Sequence, residues 1–419
     1  MTSPARVAGR LSDMDGLTPI AETNAHADPQ VVYRRLRAEW GEVAPVELEP
    51  GINAWLAMGH EELSRVLRHE RLFAKNPVHW RDYSEGRVKP GSPLAPMMFP
   101  RPSAFFHDGS EHRRLRAPVD DALHALRLRR LHRQATETCT ALIADFAQKG
   151  EADLLEQYAM MIPTVVLGRM LGLDLEMARE MHRAQMAMYA GDENAQAGNR
   201  RFEEIISDLV RARQAEPAAD VTTVIVQHPN LADDVERTQS VLSLVGTASE
   251  CTMAWVASTL LLMLTDARFS GRLRGGRLGA DDALDEVLWR DPPMANFPAR
   301  YALRDMELGG QPIGEGDPII LGFAAANADP RVHSGDPSRE IANRSHLAWS
   351  AGPHVCPAQA PGRLIVRIAV EAALHQLPDL RLNIPAEEIG RLKTPWTRCP
   401  ATLPVTFKPL ETTQLPPTA

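Results

Sequence analysis

One stretch constrains this chain more than any other: His346-Leu347-Ala348-Trp349-Ser350-Ala351-Gly352-Pro353-His354-Val355-Cys356-Pro357. It presents a single cysteine on a stiff Gly/Pro loop just ahead of a long amphipathic segment. A thiolate at a helix N-terminus is stabilised by free backbone N–H groups and by the positive end of the macrodipole, which lowers its pKa and makes it an anionic ligand. A soft thiolate so placed suits iron. An isolated cysteine is ordinarily a small buried hydrophobe, but the ordered aromatic, glycine, histidine and cysteine positions point to a reactive centre. Cys139, Cys251 and Cys399 are scattered and no Cys-x-x-Cys pair occurs, so neither a disulfide framework nor a zinc site is expected. Such cysteine usage fits a reducing cytoplasm.

The 419 residues carry no Gly/Ser linker, charge block or repeat that would divide them. A disordered N-terminus over 1–19 and one domain over 20–419 are expected. A hydrophobic content of 44% is ample for a large core, and a net charge of −8 with mixed signs argues against nucleic acid as a partner. The first nineteen residues lack an apolar signal core, and the longest apolar run, 253–264, falls short of a membrane span. No targeting or membrane segment is expected.

Along the chain, Asp28-Pro29 opens a helix to Trp40, and strands at 43–48 and 53–58 flank Glu49-Pro50-Gly51, a hairpin signal. The Pro-, Met- and Phe-rich stretch 73–106 has little periodicity, and a loop of that length is a candidate pocket wall through Trp80, Met97, Met98 and Phe99. A basic helix from Asp108 is expected to run past Pro118 to Arg130, with His112 and Arg116 on one face. Residues 154–213 read as helical and carry Met177, Met181, Met186 and Met188. A long apolar helix containing Leu242-Ser243-Leu244-Val245-Gly246-Thr247-Ala248-Ser249-Glu250-Cys251-Thr252 ends near Asp266. A carboxylate inside such a helix is costly without a role or a partner. Thr247 and Ser249 are placed to bend it through bonds to i−4 carbonyls. Gly309-Gly310 reads as a hairpin turn, and a final helix is expected over 363–377. Pro361 makes its first turn irregular if the helix begins at Cys356.

The order aromatic, small, x, Gly, x, His, x, Cys resembles the haem-ligating loop of the cytochrome P-450 family, with Trp349 and Ser350 where Phe and Gly are usual. The 242–252 stretch looks like that family's distal helix. Asp285-Glu286-Val287-Leu288-Trp289-Arg290-Asp291-Pro292-Pro293 resembles the end of its Glu-x-x-Arg helix. The resemblance covers nearly the whole chain. It implies a mainly α fold with small β-sheets (α+β), a single helical prism enclosing one haem b (iron protoporphyrin IX). It implies Cys356 as the metal ligand and His112, Arg116, Arg300 and His346 as propionate donors. It places Ala248, Glu250, Cys251 and Thr252 at the catalytic position, with Ala248 for the usual Gly and Cys251 for the usual alcohol. Met97, Met98, Phe99, Leu244, Thr247, Ala295, Asn296, Phe297, Trp396 and Thr397 are the implied substrate pocket. Trp289 replaces the Arg of Glu-x-x-Arg, leaving an i, i+4 pair of Glu286 with Arg290 and Arg339 to complete the network.

What the resemblance implies functionally is a soluble bacterial-type enzyme. It would activate dioxygen to hydroxylate a small, largely apolar secondary metabolite and be fed by a ferredoxin and an NAD(P)H-dependent ferredoxin reductase. Because Cys251 is a weak hydrogen-bond donor, oxidative coupling of phenols, indoles or cyclic dipeptides is an alternative. A haem-binding protein without turnover is a second.

Overall fold

The longest helix, Asp234–Thr265, is the axis about which the rest packs. In the computed structural model, residues 9–190, 195–270, 278–336, 339–340 and 343–410 are described. Asp233 caps this helix by accepting the Glu236 N–H, and acidic Asp234 and Glu236 complement its dipole. Its second half is buried almost all round, with Met253, Ala254, Val256, Ala257 and Leu260 at 3% exposure or less. That half packs among the helices Leu128–Ala144, Met161–Leu171, Ala280–Arg290 and Gln359–Gln376 in the largest hydrophobic cluster. The helix is long and apolar enough to cross a membrane, but most of its apolar window is buried inside the molecule. A core helix passes the same length and composition test.

Four strands around a central β8 make the main sheet. β1 (Val43–Glu49) and β2 (Ile52–Ala57) form the expected hairpin, Val43 opposite Ala57, with Gly51 at φ 79 in the turn. β8 (Pro318–Leu321) joins β2 in parallel and β5 (Phe297–Ala302) antiparallel, and β3 (Phe73–Ala74) closes the order β1-β2-β8-β5-β3. A second sheet, β4-β10-β9 (Glu151–Asp153, Pro404–Thr406, Arg381–Leu382), ties the C-terminal segment to the helical side. β6 (Met306–Leu308) and β7 (Gln311–Ile313) turn at Gly309-Gly310, as the sequence suggests.

Three local expectations change. Residues 9–19 are ordered: Leu11 is 4% exposed, Asn53 Nδ2 donates to Leu11 O and Met14 O, and Pro19 bridges Glu47. Residues 1–8 lie outside the described residues. The basic helix ends at His124, and a new one starts at Leu128. Pro118 sits inside the first of these, and the Arg114 carbonyl that it deprives of a partner is met by Asn230 Nδ2 at 3.2 Å. The last helix starts at Gln359, so Pro361 falls in its first turn, where its missing N–H would have no intrahelical partner.

Candidate active site between the distal helix and the Cys356 loop

The loop is built by its own backbone. Ser350, at φ 62, donates its N–H to Leu347 O at 2.8 Å, Val355 N–H bonds Gly352 O at 3.1 Å, and Cys356 N–H bonds Trp349 O at 2.9 Å. Gly352, at φ 67, lies against the Leu67 carbonyl, where an added Cβ would come within 2.5 Å of the oxygen. Trp349 packs edge-on to Trp255 of the distal helix, with centroids 5.3 Å apart, and this contact sets the distance between loop and helix. Burial pushes the Cys356 thiol up, opposed by a bond from the Ala358 N–H and by Arg116. The lowered pKa expected from a helix N-terminus is therefore not found. The helix begins three residues later, so only one amide reaches the sulfur.

Opposite the loop, Leu244, Thr247, Ala248 and Cys251 recur at i, i+3, i+4 and i+7 and are half-buried in a helix whose following turns are fully buried. Leu244, Thr247 and Ala248 face open volume, while Cys251 packs against the core beside them. One space is walled by Leu244, Val245, Ala248 and Thr252 on the distal helix and by Ala358, Pro361, Gly362 and Ile365 beyond the cysteine. A second lies above it between Thr247, Ser243 and Leu242 and the residues Met97, Phe105, Phe106, Met188 and Phe202. Cys251 and Cys356 are close enough for their charges to interact, and burial with the nearby Glu250 pushes the Cys251 thiol up strongly. Thr247 Oγ1 donates to Ser243 O at 2.8 Å as expected, but the distal helix runs unbroken over its 32 residues.

Glu250 turns the other way. Its carboxyl is raised by burial and hydrogen-bonds Thr397, whose Oγ1 also lies 3.6 Å from Met294 Sδ. The acid and the Cys251 thiol therefore lie on different flanks of the helix. Of the other expected pocket residues, Met97 and Thr247 line the upper space. Leu244 lines the lower. Phe297 packs edge-on against Phe105 at 5.4 Å. Ala295 and Trp396 are in the core beside Met98. Asn296 is committed to structure, its Nδ2 donating to Thr23 Oγ1 and Pro395 O. Phe99 packs on Tyr83 and Trp80 stacks on Tyr301, so neither is among the residues walling the upper space.

A cluster of two arginines and two neutral histidines borders the loop. The rings of His112 and His354 stack with centroids 4.0 Å apart. Arg116 donates to Val355 O at 2.9 Å and to Asp120 at 2.7 Å. Arg300 is 2% exposed. Desolvation lowers all three titrating groups: His112 to about 4, His354 to about 3 and Arg300 to about 10. His112 Nε2, His354 Nε2 and Arg300 Nη1 are buried without a hydrogen-bond partner. His354 Nε2 is 3.7 Å from Asp108, beyond hydrogen-bond range. Buried donors without acceptors are costly, and the two propionates of a haem are the carboxylates that such a set fits.

The fourth expected donor does not join them. His346 packs edge-on to Trp289, with centroids 5.4 Å apart, and the charged groups facing it are Asp285, Arg363 and Arg344. His354, two residues before Cys356, takes its place. It was visible as the histidine of the loop motif, and the sequence reading left it without a role. Lys75, buried next to this cluster, gave no sequence signal at all.

The Glu-x-x-Trp departure is resolved by an aromatic hub. Trp289 stacks on His333 at 4.4 Å and donates its indole N–H to Asn343 O at 3.0 Å. Arg290 approaches Glu286 at 3.6 Å, as i, i+4 spacing allows, and Arg268 is 4.0 Å away. Arg339 does not complete that network: it is 79% exposed and pairs with Asp336 at 3.5 Å.

No protein-family model matches the chain. Biflaviolin synthase CYP158A1 of Streptomyces coelicolor is 30% identical over 366 residues, which cover 84% of this chain and 87% of that one. The 2-hydroxy-5-methyl-1-naphthoate 7-hydroxylase of Streptomyces carzinostaticus is 28% identical over 396 residues, covering 91% of this chain and 96% of that one. The solved structure of CYP154A1 from Streptomyces coelicolor matches with a TM-score of 0.82 at 26% identity, covering 94% of this chain and 99% of that one. Fold, loop and relatives define a haem-thiolate monooxygenase that binds a small substrate and receives electrons from a redox partner. The chain belongs to the cytochrome P-450 family. Its relatives include hydroxylases of secondary metabolism, so hydroxylation is the reading supported; neither oxidative coupling nor a haem protein without turnover is favoured.

Proposed function

We propose that this enzyme hydroxylates a small, largely apolar aromatic molecule held above Ala248 and Thr247, with Cys356 as the residue whose sulfur would hold the iron of haem b. The observation that carries the reading is that the Cys356 and Cys251 thiols are close enough for their charges to interact, while His112, His354 and Arg300 near the same loop keep buried nitrogens without partners. Haem held by the Cys356 sulfur would supply the dioxygen activation that this chain's own side chains cannot. His112, Arg116, Arg300 and His354 hold its carboxylates through charge-assisted bonds. The upper space is mostly apolar: the Ser243 and Thr247 hydroxyls are spent on the helix's own carbonyls, which leaves Met97, Phe105, Phe106 and Phe202 to exclude water around an aromatic ring. A relative named for a naphthoate substrate suits that shape.

Glu250 keeps its proton to higher pH than an exposed carboxyl and holds Thr397 on the flank of the helix away from Cys251. Thr252, buried on the lower wall, stands one residue beyond the alcohol position, ~100° further round the helix. Cys251 stays protonated and serves as a small apolar surface. On the other side of the loop, Arg129, His132 and Arg367 flank exposed Leu128 in an open groove whose Arg363 is paired with Asp281 and Asp285. An acidic ferredoxin, itself reduced by an NAD(P)H-dependent reductase, fits such a face. A cytoplasmic setting agrees with four free thiols.

The test is the reduced carbon monoxide spectrum of wild type and Cys356→Ser. The thiolate-type band is expected in the wild type only, and an unchanged band in the variant would sink the assignment. Turnover of aromatic candidates under labelled dioxygen then checks the reaction: label should enter the main product.

A further inference from the structure

Lys75 follows the short strand β3 and has no contact with water to speak of, at 3% exposure. Its Nζ donates to Pro298 O at 2.6 Å and reaches Ala299 O at 3.5 Å. The ammonium also lies 4.2 Å from the ring centroid of Phe105 and 5.1 Å from that of Phe297. Carbonyl dipoles and aromatic faces attract a cation but do not neutralise it. The anion interacting with it is Asp108, whose oxygens are already engaged by the backbone N–H groups of Lys75 and Asn76. Arg300 is a second buried cation that acts on Lys75, and its Nη1 is unpaired.

Lys75 and Arg300 both draw on Asp108, Glu70 acts on Arg300 as well, and burial pushes the Lys75 ammonium well down; a buried charge so weakly compensated must lose its proton or gain an anion. The geometry of the site decides where an anion would come from. On one side stand Arg300 and His354 at the haem edge, both acting on the same charge cluster. On the other, Phe105 is itself a wall of the upper cavity with Met97, Leu242 and Thr247. Lys75 is at the junction of the two.

We propose that Lys75 is a carboxylate-binding residue that acts with Arg300 where the haem edge meets the substrate cavity. The inference rests on the haem-thiolate reading above. The carboxylate comes from one of two sources, a haem propionate or an acid group on an aromatic substrate, and the experiment separates them.

Lys75→Met keeps the length of the side chain and removes the charge; Lys75→Arg keeps the charge. For the holoenzyme, the rate of haem transfer to excess apomyoglobin is measured, together with spin-shift titrations of 1-naphthoate and its methyl ester. If a propionate is the partner, Lys75→Met releases haem about tenfold faster or more while Lys75→Arg stays near wild type. If substrate is the partner, haem release is unchanged, and Lys75→Met loses a preference for the acid over the ester of about tenfold. Either result supports the proposal. Haem release within about twofold of wild type together with an unchanged acid-to-ester ratio, or no spin shift at all, overturns it. Thermal unfolding excludes a merely structural role: relieved of a buried ammonium, the apoprotein of Lys75→Met should be no less stable than wild-type apoprotein. Equal loss of stability in apo and holo forms would also overturn the idea. A wild type lacking the thiolate-type carbon monoxide band would instead be a failure of the haem-thiolate reading, and so is distinguishable.

Discussion

Replacing Trp289 probes how this chain manages without the family's Glu-x-x-Arg. Trp289 is 2% exposed, stacks on His333, meets His346 edge-on and holds the Asn343 carbonyl. Asn343 in turn donates to Val332 O and Glu340 and accepts the Ser345 N–H, so one indole fastens the segment leading to the Cys356 loop. Trp289→Ala should cost about 3–5 kcal/mol, the usual range for truncating a buried aromatic. Trp289→Phe keeps a ring but orphans a carbonyl, at about 1–3 kcal/mol. Trp289→Arg restores the family's text, and Glu286 Oε1, buried and without a hydrogen bond, could accept from it. Arg339 points into solvent, however, and the aromatic stack and the Asn343 bond are lost. A net loss between those of the other two is expected. With an unfolding entropy of about 2.1 cal/mol/K per residue, 419 residues give about 0.9 kcal/mol/K, so these changes lower Tm by roughly 1–6 °C. Differential scanning calorimetry of the holoprotein resolves them. An arginine variant as stable as wild type would refute the reasoning, because it would mean that the ionic network re-forms and the aromatic hub adds nothing.

Three further outcomes are expected. Gly352→Ala forces a Cβ into the Leu67 carbonyl at positive φ, so the loop should distort at a cost of at least about 1–2 kcal/mol and the haem-to-protein absorbance ratio should fall. Burial holds His346 at about 4 in the fold, below its unfolded value of about 6.5. Unfolding therefore takes up a proton, and stability present at neutral pH is lost as pH falls below about 6.5, by about 2 kcal/mol at pH 5. Urea titrations at both pH values should show a shallower loss in His346→Gln, and an identical loss would exclude the assignment. Arg300→Leu should lose haem faster than wild type while its apoprotein unfolds at no lower temperature; full haem occupancy after dialysis would count against propionate contact.

The sequence by itself determined most of the elements and the family to which the cysteine loop belongs. Asp28-Pro29, the Glu49-Pro50-Gly51 turn and the apolar run ending at Asp266 are local signals, and local hydrogen bonding and side-chain periodicity make them structure in most contexts. The cysteine loop was legible for the same reason, since its Gly and Pro positions fix a backbone that few other residues can follow. What only the tertiary structure decided is who meets whom. His346 and His354 are equally plausible in the text. The fold turns one onto Trp289 and the other onto His112 because the segment between them reverses direction at Ser350 and Gly352. Glu250 and Cys251 are neighbours in sequence, yet the helix aims the acid at Thr397, 147 residues on, and the thiol at Cys356. Residues 9–19 looked disordered because composition reports solubility rather than contacts, and the Asn53 amide that fastens them belongs to a strand they precede by some forty residues. Lys75 is the extreme case: a lysine is read from sequence as solvated, and only the closing of Phe105 and Phe297 over it makes it a buried charge in need of an anion.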